Sequence, residues 1–527
     1  MSRLLADTRA VLDHAMIVFA DDAHALGALT AQRARLGGPL RVALAGSVKA
    51  GKSTLLNALV GEQIAPTGVG ECTRITTHYA DAASPRIGVA YRGVRRPDDP
   101  TELPALHRRG SLVMELDRLD VPRVAALHVD WPSQHLRDVT LIDTPGVDSA
   151  VSRSVWGEGT EEAVDVVVHL VRHLHDPDVA FLEAYGDRVA EHVGAAGTLV
   201  VLSRADEVGG GRIDAVMAAQ QVARRYRTDP GLRPWCATTT TVAGLLAETA
   251  RTLRGVEFTA LRTLARIDRA ELEAQLLTAD RFVAGAGVLP SGTRLALLDR
   301  FGLFGVRLAT SLLRRGVDDS ATLAAELARR SGLDDLRAIL EQRFLARRDV
   351  FQARSALLAV ERFLDRARAG VPTAGPGVPD DAGRPSPRPR SGPPAPAPSP
   401  AALVALSAEL ERVRSGAHEI VELDVLTTLR RRPLRAPGAR DARRHTAFTE
   451  EAERLLGDRG PSAAARLGIA EETAEGEVRA VALATLGRWR AHAENPLAEP
   501  DTAETAQVVV RSVEGLLAAR PVPVGVG

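Results

Sequence analysis

A chain of 527 residues is too long for a single hydrophobic core, so at least two domains are expected. Its hydrophobic content of 45% and charged content of 25% are those of a soluble globular protein, and its net charge of zero argues against a dedicated nucleic-acid-binding protein. The two cysteines cannot form a disulfide framework, and the acidic N-terminus does not resemble a signal peptide, so a cytoplasmic location is expected.

The chain begins with a predicted single helix over residues 2–36, whose apolar stripe includes Leu5, Leu12 and Phe19. A Gly-Gly-Pro sequence at 37–39 is predicted to end this helix. A helix that precedes the first strand has no place in a parallel sheet. We therefore expect it to pack with the helical second half of the chain.

A buried strand over 40–45 leads into a loop with the pattern G-x-x-x-x-G-K-[ST], and a helix is predicted after it. The residues expected to bind the nucleotide phosphates are Gly46, Ser47, Val48, Lys49, Ala50, Gly51, Lys52, Ser53 and Thr54. The glycines let backbone N–H groups turn towards phosphate oxygens at the positive end of a helix. We predict that Lys52 reaches the β- and γ-phosphates and that the Ser53 hydroxyl binds Mg²⁺.

The distribution of lysine supports the same prediction. Only two of the 67 basic residues are lysines, and both, Lys49 and Lys52, lie in this loop. A planar guanidinium is too bulky for the position that a compact ammonium fills beside the phosphates. Lysine therefore occurs only in the predicted phosphate loop, in a chain that uses arginine everywhere else.

Between residue 40 and about 248, apolar strands alternate with helical segments, which predicts an α/β domain with a mostly parallel sheet. The strands are expected at 40–45, 86–91, 123–130, 137–142, 164–171 and 198–203. The polar stretch 61–78 is expected to be a mobile loop in which one threonine closes over Mg²⁺ and the γ-phosphate. The candidates for this role are Thr67, Thr73, Thr76 and Thr77.

The tetrapeptide Asp143-Thr144-Pro145-Gly146 follows the strand 137–142. A carboxylate at the end of that strand can hold the Mg²⁺ shell, and the Gly146 N–H can donate to the γ-phosphate. This sequence after a strand is typical of GTPases, and it would couple the nucleotide state to the loop that follows.

The last predicted strand leads into Ser203-Arg204-Ala205-Asp206, where GTPases carry [NT]-K-x-D. The Asp206 carboxylate can accept both N1–H and N2–H of guanine, and adenine offers no such pair of donors, so this residue would select the base. Arg204 replaces the usual lysine, and its guanidinium plane can stack on the base. An ordinary polar turn is the alternative. A further base contact is expected near 242–244.

From about residue 251 the pattern changes to Ala, Leu, Arg and Glu at helical spacing, which predicts a long all-α bundle that would form a neck or stalk. Long helices are expected over 332–369 and 402–430, with a disordered Pro-rich connector between them. The predicted parts are an N-terminal helix at 1–37, a GTPase domain at 38–250, helical parts at 251–370 and 401–527, and the connector at 371–400.

Three weaker features are a histidine cluster and two candidate membrane contacts. His169, His173 and His175 could bind zinc, although structural histidines are commoner. The segment 430–444 holds seven arginines against one aspartate and could bind an anionic membrane from the end of the bundle. The apolar sequence Phe-Gly-Leu-Phe at 301–304 is the rival for that role.

The stretch Pro-Thr-Gly-Val-Gly-Glu-Cys-Thr-Arg at 66–74 resembles the switch I loop of the dynamin family, in which a Thr-Arg pair follows a Gly-containing loop. The phosphate loop, this stretch, and the motifs at 143–146 and 203–206 stand in dynamin order, with a helix before them and a helical half after them. The chain resembles the bacterial dynamin-like proteins, and most closely the actinobacterial isoniazid-inducible group. The resemblance implies that Thr73 is the switch threonine and an Mg²⁺ ligand.

The resemblance also assigns catalytic residues. Eukaryotic dynamins carry Gln-Ser where Val48-Lys49 stand here, which implies that Lys49 supplies positive charge to the transition state. The catalytic residues implied are Lys49, Lys52, Thr73 and Gly146.

A member of this family would hydrolyse GTP with Mg²⁺ and self-associate through its GTPase domain, with another copy or with a paralogous partner. It would contact an anionic membrane peripherally, at the inner face of the cell membrane. Two alternatives stay open: a nucleotide-gated scaffold with little hydrolysis, and a GTPase directed to RNA or the ribosome.

Overall fold

The computed structural model describes residues 2–66, 75–91, 107–108, 112–113, 124–146, 164–172, 193–285, 287–370, 398–435 and 442–519. Its strands, in chain order, are β1 Leu40–Gly46, β2 Thr76–Asp81, β3 Arg86–Tyr91, β4 His107–Arg108, β5 Leu112–Val113, β6 Val124–Trp131, β7 Val139–Asp143, β8 Val166–Val171, β9 Thr198–Leu202 and β10 Thr238–Thr241. Eight of them form one sheet in the order β10-β9-β8-β1-β7-β2-β6-β3, and β4 pairs separately with β5.

The eight-stranded sheet is mixed but mostly parallel. Five of its seven strand pairings are parallel, and the antiparallel pairings are those of β2 with β7 and of β3 with β6. The carboxyl ends of β1, β7, β8 and β9 therefore meet at one edge of the sheet, where open α/β proteins bind their ligands. The predicted α/β fold class is confirmed.

All six predicted strands are present, and their ends agree with the prediction to within two residues. Two further strands of the main sheet, β2 and β10, were not predicted. β10 consists of four buried threonines, which are polar on a hydropathy scale but β-branched and suited to a strand. β2 begins at Thr76, so residues 76–78 belong to a strand and the predicted loop at 61–78 is too long.

The helices, in chain order, are α1 Arg3–Val18, α2 Ala23–Arg35, α3 Lys52–Val60, α4 Ala215–Tyr226, α5 Gly244–Arg251, α6 Gly255–Ala265, α7 Arg269–Gln275, α8 Ala279–Ala284, α9 Ser291–Arg314, α10 Ser320–Arg330, α11 Leu333–Ile339, α12 Arg348–Arg368, α13 Pro400–Gly416, α14 His418–Arg431, α15 Ala442–Leu455, α16 Ala463–Leu467, α17 Glu475–Ala493 and α18 Pro500–Ala518. Beyond β10 the described chain contains no strand, as the sequence predicted.

The N-terminal segment forms two helices, and the single helix predicted over 2–36 is wrong. The chain turns after α1, and the Asp22 carboxylate then caps α2 by accepting two backbone N–H groups. α1 packs against α2, α12 and α13. Its His14 ring lies 2.6 Å from the Glu409 carboxylate of α13. Both N-terminal helices thus contact helices from the second half of the chain.

The two long helices predicted in the second half are interrupted. The helix predicted over 332–369 changes to a wide turn and then bends at Arg347, where φ is −119°. The helix predicted over 402–430 breaks at Ala417, where ψ is 96°. At the first break, the buried Arg347 guanidinium lies 3.5 Å from the Glu422 carboxylate of α14.

The two faces of β9 contribute to two different hydrophobic cores. Leu199 and Val201 belong to the core that the sheet shares with α1, α2 and the helices from α11 onward. Val200 and Leu202 belong to the core that the sheet shares with α4 to α10. The helices of the second half therefore cover both faces of the sheet at this end.

The basic segment 430–444 begins where the helical bundle meets the sheet. Arg430 is only 8% exposed and is paired with Glu453 at 3.2 Å. The Arg431 guanidinium lies 5.4 Å from the centre of the Trp235 ring, just before β10. Residues 436–441 lie outside the described residues, so the prediction that this segment is the distal end of the bundle stays a prediction.

Most of the predicted connector, residues 371–397, lies outside the described residues. The boundaries drawn at 37, 250 and 370 stay predictions, because both hydrophobic cores combine the sheet with helices beyond them. Within the described ranges, no helix is long and apolar enough to cross a bilayer.

Candidate functional site

The loop 46–54 joins β1 to α3 at the carboxyl edge of the sheet. Gly46 has a φ of 144°, and a Cβ there would lie 2.5 Å from the Leu170 carbonyl oxygen. Gly51 has a φ of 94° and immediately precedes α3. Ala50 between them is buried. Both glycines of the sequence pattern are therefore required by the backbone geometry.

The Lys52 side chain is enclosed by the loop. Its Nζ donates to the backbone carbonyls of Gly46 at 3.0 Å and Ser47 at 3.1 Å, and the residue is 9% exposed. Burial and, to a smaller degree, the Lys52 charge lower the pKa of the neighbouring His169 to about 3, so this imidazole is neutral at pH 7. An ammonium held inside a loop of backbone N–H groups suits a polyphosphate ligand.

The outer side of the loop carries Val48 and Lys49, which are both exposed. Gly146 lies against Val48, because a Cβ on Gly146 would come within 2.4 Å of Val48 Cγ2. Lys49 has a left-handed backbone with a φ of 64°. Thr54, in the first turn of α3, faces Gly244 at the start of α5. The motif that follows β7 is thus in direct contact with the loop.

Ser53 and Asp143 meet between α3 and β7. The Ser53 hydroxyl donates to Asp143 Oδ2 at 2.8 Å, and Oδ1 has no hydrogen-bond partner among the described residues. Burial raises the pKa of Asp143, and the Lys52 ammonium and the Ser53 hydroxyl oppose that shift. An unpartnered carboxylate oxygen beside a hydroxyl is an oxygen donor set that Mg²⁺ prefers, so these residues fit that ion.

Thr73, the predicted switch threonine, lies outside the described residues, as does its rival Thr67. The chain that follows enters β2, which pairs with β7 so that Thr77 lies opposite Asp143. The strand after the predicted switch therefore begins beside the predicted Mg²⁺ ligand.

The described ranges give no support to the zinc hypothesis. His173 and His175 lie outside them. His169 is buried in β8. Among the residues that the structure describes, no group of three His, Cys, Asp or Glu side chains could hold a metal ion.

The predicted base-binding segment begins where β9 ends. The Ser203 N–H and hydroxyl both donate to the Val171 carbonyl, at 2.8 and 3.1 Å. Arg204 has a φ of 52° and donates to Glu207 at 2.6 Å. Asp206 is 7% exposed, and its Oδ1 has no hydrogen-bond partner within the described ranges. Burial raises the pKa of Asp206 to about 6. A buried acceptor of this kind is destabilising unless a ligand supplies donors.

Helix α9 forms a wall behind the Asp206 carboxylate that the sequence did not predict. α9 is kinked at Gly302, where φ is 62°, and a Cβ there would lie 3.8 Å from Asp206 Oδ2. Arg307 of the same helix donates to the Gly211 carbonyl at 2.5 Å. The prediction of a membrane-contacting end at 301–304 is wrong, because both of its phenylalanines are buried, at 1% and 3% exposure.

The segment 242–244, where a further base contact was predicted, lies next to this wall. The Val242 carbonyl accepts the N–H of Ala205 at 3.2 Å. Leu245 Cδ2 lies 3.8 Å from the position that a Cβ would take at Gly302. The segments that end β9, follow β10 and form the kink of α9 therefore converge on one carboxylate.

Arg172 connects the phosphate loop with the base-binding segment. Its Nε donates to the Lys49 carbonyl at 3.2 Å, and Nη2 donates to the same oxygen. Burial lowers the pKa of Arg172, the nearby Arg204 guanidinium lowers it further, and Glu207 opposes the shift. No sequence motif marks this residue, since the chain is rich in arginine.

Comparison with known proteins gives three kinds of match. Residues 42–203 match the family model described as the Dynamin family. The chain is 40% identical over 495 residues to the isoniazid-induced protein IniC of Mycobacterium tuberculosis (strain ATCC 25618 / H37Rv), covering 92% of this chain and 91% of that protein. It is 26% identical over 149 residues to a bacterial dynamin-like protein of Nostoc punctiforme, covering 26% of this chain and 20% of that protein. A solved chain of an oligomerised bacterial dynamin pair matches with a TM-score of 0.30 and 16% identity, over 69% of this chain and 64% of that chain.

Proposed function

Because the chain belongs to the dynamin family, as its resemblance to the bacterial dynamin-like proteins predicted, we propose that it binds GTP with Mg²⁺ and hydrolyses it. The observation that carries the proposal is the Asp206 carboxylate, which is buried and has an oxygen without a partner among the described residues. It stands at the same sheet edge as the phosphate loop. N1–H and N2–H of guanine are the pair of donors that this carboxylate lacks.

The phosphate end of the site supports the same proposal. The loop backbone and the Lys52 ammonium would bind the β- and γ-phosphates, and Gly146 would donate its N–H to the γ-phosphate. Ser53 and Asp143, with Thr73 from the switch, would hold Mg²⁺. When bound, the ion neutralises charge on the phosphate oxygens. Lys49 would add positive charge where it develops in the transition state.

The test of the base assignment is Asp206→Asn. Guanine presents donors at N1 and N2, whereas xanthine presents an acceptor at C2, which an amide N–H can satisfy. We expect the variant to lose affinity for GTP by about tenfold or more and to gain affinity for XTP, because a mismatched buried donor or acceptor costs ~1–3 kcal/mol. Titration of labelled nucleotides measures both. Equal affinity of the wild type for ATP and GTP would contradict the proposal.

We further propose that hydrolysis accelerates when GTPase domains associate, as membership of the dynamin family suggests. Phosphate release per mole of protein should then rise with protein concentration. A flat profile over about a hundredfold range of concentration would favour the alternative of a nucleotide-gated scaffold with little turnover. Light scattering with and without a GTP analogue would show whether one protein suffices or a paralogous partner is needed.

Peripheral contact with an anionic membrane is the third part of the proposal. Five arginines of the segment 430–444 are exposed among the described residues, and each basic side chain near an anionic surface contributes about 1 kcal/mol. Replacing Arg432, Arg435, Arg443 and Arg444 with serine should reduce sedimentation with anionic liposomes and leave basal GTPase activity unchanged. Binding that survives these replacements would exclude this segment as the contact.

A further inference from the structure

Two non-glycine residues in the described ranges have a left-handed backbone, and both belong to the candidate site. They are Lys49 in the phosphate loop, with a φ of 64°, and Arg204 in the base-binding segment, with a φ of 52°. L-residues adopt this conformation rarely, and it persists only where the surroundings hold it. The question is which contact holds the lysine.

Arg172 supplies that contact from the end of β8. Its Nε and Nη2 both donate to the Lys49 carbonyl, with the Nε bond at 3.2 Å. Arg172 is half-buried. It also lies close enough to Arg204 and Glu207 for their charges to shift its pKa, in opposite directions. One guanidinium therefore supports the strained residue at the phosphate end and lies within electrostatic range of the base end.

We propose that Arg172 is a positioning residue that holds the Lys49 backbone in its left-handed conformation and so keeps the Lys49 ammonium available to the γ-phosphate. The inference rests on the proposed GTPase function. Arg172 acts through a backbone carbonyl, to which it commits two of its five N–H donors. The experiment below distinguishes this role from a direct contact between the remaining donors and phosphate. A lysine at this position offers a point charge and cannot reproduce the two-donor contact.

The experiment is a double-mutant cycle with Arg172→Ala and Lys49→Gly in the full chain. Glycine adopts a positive φ without strain, so Lys49→Gly removes the ammonium and also the need for the brace. We expect Arg172→Ala alone to weaken binding of the non-hydrolysable analogue GMPPNP by about tenfold relative to GDP, a coupling typical of residues in contact. In the Lys49→Gly background the same substitution should have no further effect. Arg172→Lys can offer a single donor to the Lys49 carbonyl in place of two, so it should restore only part of the loss.

Turnover provides the second measurement. Arg172→Ala should lower kcat for GTP more than it raises KM, because Lys49 acts chiefly in the transition state. The control is Arg212→Ala, which removes an exposed arginine paired with Asp214 and should change neither quantity.

Two outcomes would overturn the inference. Equal losses from Arg172→Ala in both backgrounds would mean that Arg172 acts directly on the phosphate, and no loss in either would mean that it has no role. Both outcomes are measured by the affinities for GMPPNP and GDP, so the experiment can distinguish them even if the wild type does not hydrolyse GTP. Absence of turnover in the wild type, with the binding cycle as expected, would instead refute the proposed hydrolysis alone.

Discussion

The phosphate end and the base end of the candidate site are built in different ways. The phosphate end is formed by consecutive residues, and the contact from Lys52 to Gly46 spans six positions of the chain. The base end is assembled from distant segments, and the contact from Arg307 to Gly211 spans 96 positions. If the proposed function is correct, phosphate binding is therefore a property of one loop, whereas base selection depends on how a helix of the second half packs against the sheet.

The largest expected effect tests the phosphate end. Lys52→Ala removes two charge-assisted hydrogen bonds within the loop and the cation that would meet the phosphates, each such bond being worth ~1.5–3 kcal/mol. We expect affinity for Mg-GTP and for Mg-tripolyphosphate to fall together by at least about a hundredfold. Tripolyphosphate has no base and can bind only at the phosphate end. If Lys52→Ala left its binding unchanged, the loop would not be the phosphate-binding part of the site.

The second effect tests the base end through Gly302→Ala. An L-residue at a φ of 62° stores ~1–3 kcal/mol of strain, which the chain relieves by shifting the kink behind Asp206. GTP affinity should fall about tenfold, in proportion to that strain, while tripolyphosphate affinity stays constant. Gly316→Ala is the control, since its φ of 100° imposes similar strain and a Cβ there would meet open space. Equal losses from both substitutions would show that α9 does not support the base end.

The third effect is a dependence of GTP affinity on pH. Asp206 must be ionised to accept two N–H groups, and burial raises its pKa to about 6. Between pH 7 and pH 5 the ionised fraction falls about tenfold, and GTP affinity should fall with it. Asp206→Asn should abolish this dependence, which nucleotide titration at a series of pH values can measure. A GTP affinity that stays constant from pH 7 to pH 5 would mean that another group recognises the base.

The smallest effect concerns stability without nucleotide. Because the pKa of Asp206 is raised, the folded protein disfavours its charge, and this destabilisation is complete above about pH 6 and is relieved as pH falls towards 3.8. Asp206→Asn should therefore raise the free energy of unfolding at pH 7 by ~1–3 kcal/mol, and by less at pH 5. Asp143→Asn should change the free energy of unfolding in the same direction, because burial also raises the pKa of that carboxylate. Chemical denaturation of the nucleotide-free protein measures both, and a loss of stability in Asp206→Asn would contradict the prediction.

The sequence predicted the strand, loop and helix at 40–60 because their determinants are local. The spacing of Gly46, Gly51 and Lys52 specifies a loop between a strand and a helix, and the structure has Gly46 at the end of β1, Gly51 just before α3 and Lys52 at the start of α3. The same reasoning could not find Gly302 or Arg172, because an isolated glycine in a helical pattern and one arginine among many carry no local signal. Their placement follows from tertiary packing over distances that residue spacing does not encode.

Local polarity misled the prediction in two other places. The four threonines of β10 count as polar, yet their branched side chains are buried in a strand beside β9. Arg430 was assigned to an exposed basic loop by its neighbours, yet it is buried in ion pairs with Glu453 and Asp458. In both cases the residue type fits the observed environment only once its partners from elsewhere in the chain are known.

The packing of α1 against α12 and α13 also sets an order of events during synthesis. His14 leaves the ribosome 395 residues before its partner Glu409, a delay of about 20–80 s at ordinary elongation rates. Through that interval the apolar stripe that includes Leu5 and Leu12 has no bundle to join. The sheet is therefore expected to form before the N-terminal helices have their packing partners. Nascent chains that end before α13 should be the ones that aggregate or bind chaperones.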